Sequence, residues 1–261
     1  MELSLYLALG AIAGLLAGLL GVGGGLIIVP VLAAIFSATG IPDEIIMHLA
    51  LGTSLASILA TSVSSVYSHH RKQAVSWPRS IKLTPGILIG AWCGGLLAGH
   101  LSSDFLKPVF AIFELGVAAY MLLGTRAHTH NPSPSLASFT LSGSIIGFVS
   151  SIVGIGGGTM TVPWLMWHGS SIHRAIATSA ATGLPIAIAG SLSYLYTGWN
   201  HPQLPETSAG FIYLPALAGI IASSVLFAPL GATLTHRLPV HQLKKIFAGL
   251  LVLLAVYLLS S

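Results

Sequence analysis

Charge is what this sequence has least of. Ten Lys and Arg and six Asp and Glu are all the fixed charges among 261 residues, 6% of the chain, where a soluble globular domain carries roughly 25%. Hydrophobic residues make up 54%, and mean hydropathy is +0.89. So few polar groups cannot cover a water-facing surface, which excludes a soluble domain. The same hydrophobicity excludes disorder, which needs little apolar content and much charge. The single cysteine, Cys93, stands in an apolar stretch and cannot form an internal disulfide, so it says nothing about redox compartment. No basic run tracks a phosphate backbone, so the net charge of +4 does not point to nucleic acid. No positive n-region precedes the first apolar run, which is therefore expected to stay in the mature protein. What is abundant is apolar length and glycine, 30 residues of it. The chain reads as an all-α polytopic membrane protein.

Apolar stretches lie at 3–20, 24–38, 45–67, 80–100, 104–124, 137–153, 157–169, 173–196, 210–235 and 240–260, set against the roughly 20 residues that a spanning helix needs. They fall into two sets of five, a first repeat over 1–124 and a second over 137–261, joined by a polar linker at 125–136. The sets resemble each other. Gly21-Val-Gly-Gly-Gly-Leu-Ile-Ile-Val-Pro30 matches Gly154-Ile-Gly-Gly-Gly-Thr-Met-Thr-Val-Pro163 at an offset of 133 residues. His48-Leu-Ala-Leu-Gly-Thr-Ser54 matches His173-Arg-Ala-Ile-Ala-Thr-Ser179 at 125, and Leu106-Lys-Pro-Val-Phe-Ala111 matches Leu243-Lys-Lys-Ile-Phe-Ala248 at 137. Three blocks in one order point to duplication.

Five segments per repeat is an odd number, so the second copy is expected to run inverted through the membrane. Lys and Arg favour cytoplasmic loops. Placing the loop 69–82, with Arg71, Lys72, Arg79 and Lys82, inside also brings Arg126, Arg174, Arg237, Lys244 and Lys245 near the inner face. Only Lys107 then falls outside, together with Glu2, Asp43, Glu44, Asp104 and Glu206.

The first two segments of each half are short and are split by glycine runs, Gly21–Gly25 and Gly154–Gly158. Consecutive glycines tolerate left-handed or extended backbone. Non-helical backbone at membrane depth survives only where protein or a water-filled cavity surrounds it, and paired Gly/Pro-interrupted segments mark transporter sites near the midplane. A helix starting just after each run presents unsatisfied N–H groups and a positive dipole end, an anion site that needs no cationic side chain. Gly21, Gly23, Gly24, Gly25, Gly154, Gly156, Gly157 and Gly158 are therefore the candidate substrate-binding backbone. Thr159 adds a hydroxyl, with Thr161 a second one in the same turn. Gly-x-Gly-Gly-Gly lacks the Lys-Ser/Thr of a phosphate loop and its strand–turn–helix setting.

The paired pattern resembles the sulfite exporter TauE/SafE family, also called TSUP, over nearly the whole chain. The Gly-Val-Gly-Gly-Gly and Leu-Gly-Thr-Ser blocks carry it in the first half; Gly-Ile-Gly-Gly-Gly and Ile-Ala-Thr-Ser carry it in the second, with Ala177 where the first half has Gly52. The family comprises bacterial and plant membrane carriers of sulfite, thiosulfate and organosulfonates. The resemblance therefore implies a small anionic substrate, sulfite or a related sulfur oxyanion, exported across a bacterial inner (plasma) membrane, and the inverted repeats imply alternating access.

Thr53, Ser54, Thr178 and Ser179 stand at equivalent turns and are candidate hydroxyl donors, although back-bonding to their own helix is a common alternative. His48 and His173 are also equivalents, each five residues before its Thr, about 7.5 Å nearer a membrane face. They are candidate gates, or interfacial caps, and Arg174 adds a charge beside the second. Glu114 is the one acid inside a span, at a position equivalent to Leu251. Intramembrane acids are costly and functional by default, so Glu114 is the candidate for proton coupling, or else a neutral acid tying helices together. His69-His70 and His128-Thr-His130 lack the Cys or carboxylate partners of a closed metal site, so neither metal nor cofactor is expected. No Gly-x-Ser-x-Gly or His-Glu-x-x-His is present, and the chain reads as a non-enzyme. Six segments are expected to span fully and four to form two broken pairs. A carrier of another small anion such as a carboxylate, or a passive anion channel, fits the same residues. An intramembrane enzyme would need a nucleophile or metal set.

Overall fold

The computed structural model describes residues 2–20, 24–123, 134–234 and 240–260, with the side chains of residues 20 and 240–244 left aside. Gly21, Gly23 and most of the linker 125–136 lie outside the described residues, as do Arg126, Arg237 and the Lys244 side chain. The described residues form ten helices: α1 (Glu2–Leu20), α2 (Gly25–Ala38), α3 (Asp43–Arg71), α4 (Trp77–Ala98), α5 (Ser103–Leu123), α6 (Leu136–Ile152), α7 (Gly158–Trp167), α8 (Ile172–Gly198), α9 (Leu214–Leu234) and α10 (Val240–Ser260). The protein is an all-α, multi-pass membrane protein.

Each expected segment has its helix, with three differences. The stretch 210–235 does not start as helix, because strands β1 (Ser208–Ala209) and β2 (Ile212–Tyr213) make a two-strand hairpin ahead of α9. Gly210, between them, has φ +53°, and the apolar Phe211 and Ile212 look the same to hydropathy in strand or helix. Second, α3 is longer than expected because its ends are polar, with Asp43 and Glu44 in the first turn and His69, His70 and Arg71 in the last. These complement the positive N-terminal and negative C-terminal ends of the helix dipole. Third, the first member of each broken pair is not short. α1 has 19 residues and α6 has 17, whereas α2 has 14 and α7 only 10. At 1.5 Å per residue, only α2 and α7 fall well below a core about 30 Å thick. Correspondingly, α1 joins α3, α4, α5, α8 and α9 as a helix long and apolar enough to cross a membrane.

α3 and α8 pack against each other at the centre, with 89% and 83% of their most apolar windows buried, against 33–44% for the other four candidates. α1 lies along α9 and α6 along α4, while α2 leans on α3 and α7 on α8. α5 pairs with α10. Glycine permits the closest of these approaches. A methyl added at Gly90 of α4 would overlap the Ser144 carbonyl oxygen of α6 and lie 2.7 Å from its carbonyl carbon, the small-residue packing typical of membrane helices. Large apolar side chains point outward instead, among them Ile112 and Leu253, as a lipid-facing surface requires.

The loops gather at two ends. At one end Arg79 of α4 donates to the Ser170 hydroxyl and, at 3.1 Å, to the His168 carbonyl. That contact draws the turn before α8 to the loop after α3. Lys72 donates to the Ala232 carbonyl at the end of α9, a cation at a helix C-terminus. At the other end a cleft of about 490 Å³ brings together Asp43, Glu44, His48, the 99–104 turn and His201.

Candidate functional site

Both glycine breaks end in the same backbone feature. Gly24 (φ 78°, ψ −15°) caps α2 and Gly157 (φ 73°, ψ −6°) caps α7, each in the left-handed region and with no side chain to cap the helix. The Gly24 carbonyl accepts from the Ile27 and Ile28 amides, and the Gly157 carbonyl from the Met160 and Thr161 amides. In both, the left-handed residue aims the first turn of a half-helix back into the protein. A methyl added at Gly24 would sit 3.0 Å from the Ala13 carbonyl oxygen, so the chain has doubled back alongside α1. One added at Gly157 would collide with the Ile186 side chain and approach Ser150 Oγ at 3.4 Å.

The structure brings the two breaks together. A methyl on Gly25 would overlap the Gly154 carbonyl oxygen and lie 2.9 Å from Ile155 Cα. Ser54 seals this junction by donating to the same Gly154 carbonyl at 2.7 Å, a hydrogen bond between the two halves. Gly154 itself has φ 67°. Ser54→Ala removes a buried donor to a backbone carbonyl, and we expect a loss of about 1–3 kcal/mol, read as a lowered thermal unfolding midpoint in detergent.

Thr53 and Thr178 are used alike. The Thr53 hydroxyl accepts from the Tyr213 amide just before α9, and the Thr178 hydroxyl from the Ser76 amide just before α4, both at 2.9 Å. Each threonine thus steadies the start of a helix in the other half, a structural duty that sequence alone does not disclose. Ser179 back-bonds to the Ile176 carbonyl at 2.8 Å. It also lines a small cavity with Gly156, Gly183, Ala17 and three hydroxyl residues of α3, with room for about one water molecule.

Around the second break several hydroxyls lack partners. The Oγ atoms of Ser150 and Ser151 and the Oγ1 atoms of Thr159 and Thr161 are buried and have no hydrogen bond. At the repeat offset, Leu26 and Ile28 stand where Thr159 and Thr161 do, so the second break is the more polar. Gly158 is buried at the start of α7. Ser150, Ser151 and, on α3, Thr61, Ser62 and Ser65 were not singled out in the sequence, although Ser54, Ser57, Thr61 and Ser65 recur on one helix face at intervals of three and four.

The remaining candidates lie apart. His48 is buried at the far end of α3, with Nε2 2.9 Å from the Leu101 carbonyl and its ring stacked on Phe211 at 4.8 Å. Its equivalent His173 and the neighbouring Arg174 are exposed at the start of α8, so the two histidines occupy unlike environments. Glu114 is fully buried, and neither carboxyl oxygen has a hydrogen bond. It shares a helix face with Phe110 and Ala118 in α5, the helix that packs on α10, and does not line the cavity beside Gly156. Among the described residues no three His, Cys, Asp or Glu are close enough to hold a metal ion.

A "probable membrane transporter protein" of Haemophilus influenzae is 40% identical over 97% of this chain and 96% of its own length. A protein of the same description from Methanocaldococcus jannaschii is 29% identical over 98% and 95%, and one from Bacillus subtilis is 25% identical over 99% and 98%. No solved structure matches the chain. The model of the family described as "Sulfite exporter TauE/SafE" matches residues 6–258, and with that match over almost its full length the chain belongs to the sulfite exporter TauE/SafE family and is a membrane transporter.

Proposed function

We propose that the protein is a secondary carrier of small sulfur-containing oxyanions, sulfite or a related thiosulfate or organosulfonate. It exports them across a bacterial inner membrane by alternating access. One observation carries the reading: the first residue of α2, just after a left-handed glycine, meets the break that leads through a second left-handed glycine into α7, and neither glycine run contains a Lys or Arg. First-turn amides and the dipole end favour an anion there, and the hydroxyls of the second break supply further donors. Gly21, Gly23, Gly24, Gly25, Gly154, Gly156, Gly157, Gly158 and Thr159 are the proposed binding backbone and hydroxyl, with Ser54 and Ser179 at its edge. Thr53 and Thr178 hold the frame in which it moves. The family name supports a sulfur anion. The membrane-transporter family supports a binding role for these residues rather than a catalytic one.

We further propose that 1–124 and 137–261 are inverted repeats of one membrane domain. Supporting this, α1 on α9 has its counterpart in α6 on α4, and α2 on α3 in α7 on α8. Thr53 and Thr178 exchange equivalent bonds across the halves. Reporter fusions at positions 75 and 200 are expected to lie on opposite sides of the membrane; a common side removes the inverted repeat.

Glu114 is the proposed proton carrier. A buried acid with unpaired oxygens is costly unless it serves a function, and a neutral acid does not repel an anion. Glu114→Gln is expected to keep anion binding but lose the stimulation of flux by a pH gradient. Stimulation equal to that of the unaltered protein rejects the coupling role.

A further inference from the structure

α3 carries a line of buried hydroxyls on one face: Ser54, Ser57, Thr61 and Ser65. The first and last are eleven residues apart, about 16 Å of helix. The line starts at the Gly154 carbonyl and runs toward the end of α3 that bears Arg71 and Lys72. Its first three members are internally bonded, Ser54 to Gly154, Ser57 to the Ser54 carbonyl at 2.7 Å, and Thr61 to the Ser57 carbonyl at 2.9 Å. Ser65 is the exception. It is 2% exposed, its hydroxyl has no hydrogen bond, and it lines the small cavity beside Gly156. Ser62 lines the same cavity and points across it, with Oγ 3.0 Å from where a Gly183 methyl would stand.

The second half repeats only the start of this line, with Ser179 and Thr182 at the positions of Ser54 and Ser57. At the repeat offset of 125 residues, Thr61, Ser62 and Ser65 correspond to Ile186, Ala187 and Gly190. Beyond the shared start, the α3 line continues from the meeting point of the breaks toward one end of the molecule. It leads to the end where Lys72, Arg79 and the exposed Arg174 cluster.

We propose that this cavity is a sided station on the anion path, between the glycine breaks and the basic end, where the Ser65 and Ser62 hydroxyls donate to a small oxyanion. The station rests on the oxyanion-carrier reading above. Its lining suits that ligand class. Among the described residues its lining holds hydroxyls of α3 and α8 and no carboxylate, with the Gly156 carbonyl at one side, and a buried hydroxyl without a partner calls for a ligand or water to complete it. In this conformation it has room for about one water molecule, so an oxyanion enters as α3 and α8 separate during the transport cycle. A station of this kind lets the substrate shed water stepwise between the aqueous mouth and the breaks.

The test uses the full-length protein in proteoliposomes of known orientation, with sulfite as the probe and KM measured from each side. Ser65→Ala is expected to raise KM from the basic-loop side about tenfold, in line with one lost hydrogen bond to a charged group. KM from the opposite side stays unchanged, and the effect on KM exceeds that on turnover. Ser65→Thr, which keeps the hydroxyl, is expected to restore KM. An unchanged KM, or an equal rise from both sides, overturns the station. Should Ser65→Ala fail to fold, Ser62→Ala carries the same expectation, and an unchanged KM there overturns it equally. Absence of any saturable sulfite flux in the unaltered protein overturns instead the carrier reading on which the station rests.

Discussion

Gly157→Leu and Gly24→Leu are each expected to abolish saturable anion flux while the protein remains extractable and monodisperse. Two costs combine at these positions. A side chain in the left-handed region costs roughly 1–2 kcal/mol, and neither site has room for it. At Gly157 the new Cβ meets Ile186 of α8, and at Gly24 it meets the Ala13 carbonyl of α1. The first turn of α7 or α2 must then tilt, which moves the amides that are to hold the anion. Gly157→Ala isolates the strain from the bulk and is expected to weaken transport by about tenfold. Gly116→Ala is the control: it has nothing within 4 Å of an added methyl and is expected to leave flux unchanged. Flux at the unaltered level in both leucine variants removes the breaks from the transport path.

The second large effect is on stability. Gly90→Leu places a side chain against the Ser144 carbonyl where α4 and α6 touch through backbone. Overpacking a tight contact costs about 1–3 kcal/mol for modest additions, and backbone cannot step aside as a side chain can. We expect a loss of at least about 3 kcal/mol, seen as a fall of roughly 6 °C or more in the unfolding midpoint, or failure to recover folded protein. The equivalent seam between α1 and α9 predicts the same for Gly14→Leu, whose added Cβ would lie 2.7 Å from Ser224 Cα. Stability like that of the unaltered protein in both would mean that the helices are not this close.

Much of the fold was legible because a membrane simplifies the code. Hydropathy marks the segments, and the scarce charges mark the loops. The hairpin before α9 was missed because Phe211 and Ile212 are apolar in either state, and its folding depends on Gly210 and on a bond to Thr53, 160 residues away. The site was legible in part. Repeated glycines pointed to the breaks, and Gly24 and Gly157 have the left-handed backbone that only glycine adopts readily. Sequence could not foresee that Thr53 and Thr178 serve as acceptors for distant amides, since a hydroxyl reads as a donor until its neighbours are known. Nor could it separate Ser65 from the bonded hydroxyls above it on α3, because their spacing along the helix is the same. Equivalence between His48 and His173 held in sequence but not in environment, one stacked on Phe211 and the other exposed.

We propose that the two glycine breaks jointly hold a small sulfur oxyanion during transport. Counterflow of labelled sulfite in proteoliposomes, for the unaltered protein and for Gly24→Leu and Gly157→Leu, tests it most directly. Saturable counterflow is expected that thiosulfate and sulfoacetate compete with and acetate does not, lost in either variant alone. Counterflow that acetate inhibits as well as sulfoacetate does, or that survives in both variants, would contradict it.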